Sequence, residues 1–398
     1  MNGLWAVSTR ASINRVYIMY EEIIKFIRKM YNTSDIIPLH APRFIGNEKK
    51  YLNACIDSTF VSYVGEFVTQ FEDMIKEYTG AKYAVATANG TLALHTALIT
   101  SGVQEGDEVL TQALTFVATA NAISHCFAKP VFIDSERETL GMSPEKLEEF
   151  LLENTIFHDD GFCYNKRTGR KIAACVPVHV FGHPVRIDVI EDLCRKYHIV
   201  CIEDAAESLG SFYKGQHTGT FGKVGVFSFN GNKIVTAGGG GMVITNDETT
   251  ATLAKHITTT AKVVHKWEIY HDKVGYNYRL PNVNAAIGCA QMESLPVFLK
   301  NKRELAVFYK EFFDEMDITF YAERENCYSN YWLNVILLHD KTERDNFLEY
   351  SIENKVMVRP VWKLLNTLPM YENCQTTDLE NADYLMDRIV NLPSSVRL

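Results

Sequence analysis

Between residues 81 and 246 short apolar runs alternate with longer segments that read as helices. The runs at 83–87, 108–112, 130–133, 173–179, 199–203, 225–229 and 242–245 have the length and apolar content of buried strands. The segments 91–101, 117–126, 144–153 and 187–197 supply helices between them. This alternation predicts an α/β layered domain, a sheet with helices on both faces. In such sheets ligands collect at the carboxyl ends of the strands, where Thr87, Gln112, His179 and Asp204 fall. Beyond about residue 285 the texture changes: a long helix over 284–310, strand-like stretches at 318–321 and 331–338, a helix over 344–353 and a strand at 356–360. That pattern predicts a smaller α+β lobe. At the other end, Ile23, Ile24, Ile27, Met30 and Tyr31 lie on one face of a helix over 20–31 that docks on the body. The resulting division is an N-terminal extension over 1–35, a large domain over 36–285 and a small domain over 286–398.

Composition narrows the function. Length of 398 residues, 46% apolar and 22% charged content describe a folded chain with two lobes. A net charge of −9 without a basic block argues against nucleic acid as the partner. No apolar run approaches the ~20 residues that span a bilayer. The nine cysteines are scattered and form no CxxC pair, which predicts reduced thiols and a cytoplasmic setting rather than disulfides or zinc. The 12 histidines show no HExxH pattern, so no metal site is expected. The first 18 residues, with Arg10 and Arg15 and no acid, carry too short an apolar stretch for a secretory signal. They read as an upstream-start extension, with Met19 a candidate natural start.

Against this background Lys233 stands out. It follows Ser228-Phe229-Asn230-Gly231-Asn232 and precedes four consecutive glycines at 238–241. Such a glycine run suits backbone that bends sharply or approaches a ligand closely, although a surface lysine in a flexible loop has the same local sequence. Asp204 ends an apolar strand, where a carboxylate needs a partner: a protonated ring nitrogen, or the N–H groups of the next turn. Glu207, three residues on, is placed either to meet a phenolic oxygen or to be solvated. Asn89-Gly90-Thr91 opens a helix whose free N–H groups favour a phosphate, and Thr91 is also a plausible cap. Ser228 offers a hydroxyl to the same anion. Phe116 either covers an aromatic ring or packs in the core. An amine, a carboxylate and a phosphate cradle are the partners that pyridoxal 5'-phosphate (PLP) requires.

Six motifs in order then carry a resemblance over residues 37–395. They are Thr79-Gly80-Ala81-Lys82-Tyr83-Ala84-Val85, Asn89-Gly90-Thr91-Leu92-Ala93-Leu94-His95 and Thr115-Phe116-Val117-Ala118-Thr119-Ala120-Asn121, followed by Glu203-Asp204-Ala205-Ala206-Glu207, Ser228-Phe229 with Lys233, and Gly275-Tyr276-Asn277-Tyr278-Arg279. The chain resembles the PLP-dependent sugar-nucleotide aminotransferases of the fold type I aspartate aminotransferase superfamily. The resemblance implies a mostly parallel seven-stranded sheet, a Schiff base on Lys233, Asp204 at the pyridine nitrogen, Phe116 on the ring, and phosphate held by Gly90, Thr91 and Ser228. It implies a homodimer in which Asn277 reaches the partner's phosphate and Arg279 supports that loop. Glu207 stands where the wider family often has glutamine, so either it donates in protonated form or it accepts from the phenol.

Ile37-Pro38-Leu39-His40-Ala41-Pro42-Arg43-Phe44, Phe181-Gly182-His183-Pro184 and Leu392-Pro393-Ser394-Ser395 resemble the branch that makes 4-amino-4,6-dideoxy-N-acetylhexosamine nucleotides, precursors of bacillosamine and legionaminic acid. The implied reaction moves the amino group of L-glutamate, by way of pyridoxamine 5'-phosphate, to the C4 ketone of a UDP- or GDP-linked 4-keto-6-deoxy sugar. Arg43, Tyr63, His183, Arg359 and Trp362 are the candidate sugar and nucleotide contacts. Two rival readings are a PLP-dependent sugar dehydratase, whose members carry histidine at the position of Lys233, and a non-catalytic PLP-fold scaffold, against which Lys233 and Asp204 argue.

Overall fold

The computed structural model describes residues 3–397, with side chains described from residue 17 onward. Its centre is a seven-stranded sheet in the order Tyr83–Thr87, Gly241–Thr245, Val224–Ser228, Val200–Asp204, Ile172–Val176, Glu108–Gln112, Lys129–Ile133. Gly241–Thr245 runs antiparallel to both its neighbours, and the remaining pairings are parallel. The side-chain period of two sends alternate residues to opposite faces. Val226 and Val243 therefore join the layer of Leu94, Ala97 and Ile123, while Phe227, Met242 and Ile244 join Phe71, Ile75 and Leu295. A sheet covered on both faces explains why Glu108–Gln112, Ile172–Val176 and Gly241–Thr245 are buried throughout.

A second sheet of four strands, in the order Thr319–Phe320, Asn334–Leu337, Ile389–Leu392, Arg359–Pro360, forms the smaller lobe. The 34-residue helix Asn282–Glu315 serves both lobes. Cys289 and Met292 from its first half pack on Phe71, and Leu305, Tyr309 and Phe313 from its second half pack on Ile336 and Leu392. It thus crosses residue 285 without a break. Tyr20, Ile23, Ile24 and Ile27 of the helix Gly3–Tyr31 are buried in that same small-lobe core.

The sequence reading did not contain the helices Glu48–Asp57 and Glu66–Thr79, the strand Ile389–Leu392, or the short pairs Thr155–Phe157 with Cys163–Asn165 and Phe212–Tyr213 with Cys327–Tyr328. Strands of two or three residues are too short to show a period. Phe212–Tyr213 also pairs with a segment more than 100 residues away, which no local pattern announces. All nine cysteines are free thiols. Among the described residues no helix is long and apolar enough to cross a membrane.

Candidate active site

The carboxyl ends of Val200–Asp204 and Val224–Ser228, the turns after Ile172–Val176 and Glu108–Gln112, and the start of the helix Gly90–Thr100 surround one cavity of about 330 Å³. Gly90, Thr91, Phe116, Asp204, Glu207, Ser228 and Lys233 all line it. Two roomier cavities, about 560 and 710 Å³, lie elsewhere; their walls include Arg303 and Glu323, and Arg279 and Glu72, which are paired with each other. What singles out the smaller one is the meeting of Asp204, Glu207 and Lys233 with an open helix start.

At one end of the cavity the backbone forms a cradle. Asn89 is extended, and its side chain accepts from the Leu92 amide at 3.0 Å, which starts the helix. The amides of Gly90 and Thr91 have no intrahelical acceptor at such a start and point outward with the positive end of the helix dipole. A side chain at Gly90 would place its Cβ 2.9 Å from that of Ser228, so glycine is what lets the helix start abut the strand end. In the glycine run, Gly238 has φ of +77° and a Cβ at Gly241 would lie 2.4 Å from the Asn89 carbonyl oxygen. The run thus bends the chain and brings it against the cradle.

Glu203 and Asp204 are adjacent and face opposite sides of their strand. Glu203 is fully buried and accepts hydrogen bonds from the amides of Gly219, Phe221 and Gly222 and from His179 Nε2. The Val185 amide donates to His179 Nδ1, so this histidine has the Nε2–H tautomer and serves Glu203 rather than the cavity. Asp204 lines the cavity. Its Oδ2 accepts from the Thr119 hydroxyl at 2.8 Å and its Oδ1 from the Ala206 amide at 3.2 Å. Burial pushes its pKa up, and the two hydrogen bonds and the Lys233 charge oppose that shift.

Lys233 is held by two groups. Its Nζ donates to Glu207 Oε1 at 3.3 Å and stands 3.9 Å from the centre of the Trp332 ring. Glu207 Oε2 accepts from the Phe181 amide at 2.8 Å, so both carboxylate oxygens act as acceptors. Burial again raises the carboxyl pKa, countered first by Lys233.

Of the expected substrate contacts, Trp362 lines the cavity opposite Phe116, with ring centres 6.1 Å apart, and Phe116 is half exposed. The others do not line it. Arg43 Nε donates to the Val396 carbonyl, and Arg359 is exposed on its strand. Tyr63 borders the 710 Å³ cavity beside Arg279. His183 is buried edge-on against Tyr321 and Tyr331, and burial drives its pKa down to about 4. Asn277 is exposed, bridged to Thr259 and away from its own chain's cavity, while Arg279 pairs with Glu72 at 2.7 Å and anchors that segment. Two side chains that touch Asp204 or Lys233 in the cavity were not among the expected site residues. Thr119 lies in the same motif as Phe116, residues 115–121, at the start of the helix Ala118–His125, which was a usable signal. Trp332 arrives from the small lobe, and nothing near it in sequence points to Lys233.

The cavity suits PLP on these observations: a cradle that any side chain at position 90 would fill, a hydrogen-bonded carboxylate deep in the site, and an amine on its wall. The description DegT/DnrJ/EryC1/StrS aminotransferase family matches residues 43–398. The chain is 38% identical over 359 residues to GDP-perosamine synthase of Escherichia coli O157:H7, covering 90% of this chain and 93% of that protein. It is 36% identical over 362 residues to GDP-perosamine synthase of Vibrio cholerae, covering 90% and 94%. The crystal structure of the aminotransferase TlmJ from Streptoalloteichus hindustanus superposes with a TM-score of 0.82 at 26% identity, covering 90% of this chain and 93% of that one. Fold and site together define a PLP-dependent transferase of fold type I. The chain belongs to the DegT/DnrJ/EryC1/StrS family and is a PLP-dependent sugar aminotransferase.

Proposed function

We propose that this enzyme transfers the amino group of L-glutamate to the C4 ketone of a nucleotide-linked 4-keto-6-deoxy-N-acetylhexosamine. The products are a 4-amino-4,6-dideoxy sugar nucleotide and 2-oxoglutarate. The observation that carries the reading is that Lys233 and Asp204 open into one cavity beside the Gly90–Ser228 cradle. Two relatives named GDP-perosamine synthase support a nucleotide-linked sugar as the acceptor. The N-acetyl group rests on the motifs at residues 37–44, 181–184 and 392–395.

Bound PLP supplies a carbonyl that condenses with amines and a conjugated ring that takes up the electron pair of a broken C–H bond. In this reading Gly90, Thr91 and Ser228 hold the phosphate. Asp204, with Thr119 and Ala206 donating to it, holds the proton of the ring nitrogen. Phe116 and Trp362 keep water off the ring face. The free Lys233 amine takes the proton from the amino-donor carbon and returns one to the sugar carbon, acting as base and then as acid at Nζ. Glu207 accepts from Lys233 Nζ and keeps the amine at the cavity wall.

The same reading makes the enzyme a homodimer with Asn277 serving the partner's cradle. A segment with Val264, Trp267, Ile269 and Val274 each at least 77% exposed supports a covered face there. Asn277→Ala is expected to weaken PLP retention about tenfold by equilibrium dialysis, the size of one lost charge-assisted hydrogen bond. Sedimentation as a monomer, or unchanged PLP retention, would remove the shared site. For the reaction itself, purified enzyme is incubated with glutamate and either UDP- or GDP-linked 4-keto sugar, and 2-oxoglutarate is measured. Turnover with neither nucleotide would falsify the substrate reading.

A further inference from the structure

We propose that Trp332 is a positioning residue for Lys233: its indole face sets where the free Nζ rests, and its N–H fixes the backbone that carries the lysine. This rests on the aminotransferase reading for its consequence in turnover. The geometry itself does not require that reading.

Three observations join. The Trp332 ring centre is 3.9 Å from Lys233 Nζ. A cation over an indole face is held by the ring quadrupole, most strongly where water is scarce, and the Lys233 side chain is 13% exposed. The indole N–H donates at 2.7 Å to the carbonyl of Asn232, the residue immediately before Lys233. Trp332 thus touches both ends of the lysine, its charged tip and its chain attachment.

The second partner of Nζ, Glu207, is tied to Trp332 by one side chain. Asn330 Nδ2 donates to the carbonyls of Glu207 and Leu209, each at 2.9 Å, and Asn330 Oδ1 accepts from the Trp332 amide at 2.8 Å. The room for Asn330 is made by Gly182, where φ is +94° and a Cβ would lie 1.9 Å from Asn330 Oδ1. Its neighbour Phe181, also at positive φ, sends its amide to Glu207. The Trp332 carbonyl in turn accepts from buried Lys302 at 3.1 Å. A strap from the small lobe, residues 329–332, therefore fixes the two groups that hold the catalytic amine relative to each other. In the aminotransferase reading Lys233 is freed once and re-bonded to the same place once in each full cycle. A ring that holds the ammonium without a covalent or strong ionic bond suits that traffic.

The test uses cofactor-free full-length protein, reductively methylated with ¹³C-formaldehyde. The Lys233 dimethylammonium resonance is identified by its loss in Lys233→Arg. Expected is an upfield ring-current displacement in the wild type, retained in part in Trp332→Phe and absent in Trp332→Leu. An unchanged position in Trp332→Leu overturns the proposal. In loaded enzyme, Trp332→Leu is expected to lower kcat roughly tenfold, as one partly desolvated cation–π contact allows, with a change of less than about twofold in the KM for glutamate. A raised KM with unchanged kcat would make Trp332 a mere wall of the substrate site and overturn it equally. Trp332→Phe keeps the comparison usable if the leucine variant does not fold. Because the resonance is read without cofactor, failure of the aminotransferase reading would leave the displacement in place, whereas failure of this inference would leave wild type and Trp332→Leu at the same position.

Discussion

The two lysines that this fold takes out of water are treated in opposite ways. Lys233 borders a cavity and is met by a carboxylate and an aromatic face. Lys302, fully buried at the lobe junction, donates to two carbonyls, those of Trp332 and Ser394. Burial lowers the pKa of Lys302 from an ordinary 10.5 to about 7, and a neutral amine still has the two N–H donors those carbonyls need. One lysine opens into the cavity beside a carboxylate and an indole. The other is a strut whose charge burial disfavours, and it joins the long helix to the strap bearing Trp332. Buried amines thus take their role from their acceptors, not from burial alone.

The sharpest way to break this contrast is Lys233→Ala. Turnover is expected to fall by at least ~10⁴-fold, the loss of a proton-transfer group that is also the cofactor's attachment point, with only a small change in Tm. Retained activity would place the catalytic amine elsewhere. Asp204→Asn comes next, with kcat lower by ~10²–10³, because a neutral amide cannot favour a protonated ring nitrogen electrostatically. Single-turnover absorbance changes with glutamate measure it, and a mild effect would move the ring partner. Thr119→Val should cost less, roughly tenfold in kcat, since it removes one of the two hydrogen bonds on Asp204 and leaves the carboxylate. A pH titration of the bound cofactor's visible band, shifted relative to wild type, separates this from a packing effect.

The last effect falls on Lys302 and is read as stability rather than rate. Between pH about 7 and 10.5 the unfolded chain holds a proton on this amine that the folded chain does not. Its contribution to stability therefore rises with pH across that window and is lost as pH falls toward 7. One such group contributes a slope of up to ~1.4 kcal/mol per pH unit. Urea unfolding of Lys302→Met between pH 7 and 9.5 should show a shallower slope than wild type. An identical slope would mean that Lys302 keeps its charge among the carbonyls.

Local chemistry made much of the site legible. The strand ending at Asp204, the helix opening at Gly90 and the glycine run after Lys233 are each written in contiguous residues, because a strand end, a helix start and a tight turn impose their requirements within a few positions. Identity of the cavity wall is a different matter. His183 sits in a motif that suggested substrate contact, yet it packs between tyrosines, and the candidate Arg359 lies exposed on its strand. A motif records that a residue is needed, and the same letter serves a core or a ligand.

What the chain determined by itself was the alternation of strands and helices and the contiguous groups, an amine, an acid and a helix start, that suit PLP. The tertiary structure alone decided which distant side chains complete them: Thr119 on Asp204, Phe181 on Glu207 and Trp332 on Lys233, the last separated from its partner by 99 positions along the chain (233 to 332). Periodicity and capping act over a few residues, whereas such contacts are set by how two lobes and a 34-residue helix pack, a global balance that no short window contains.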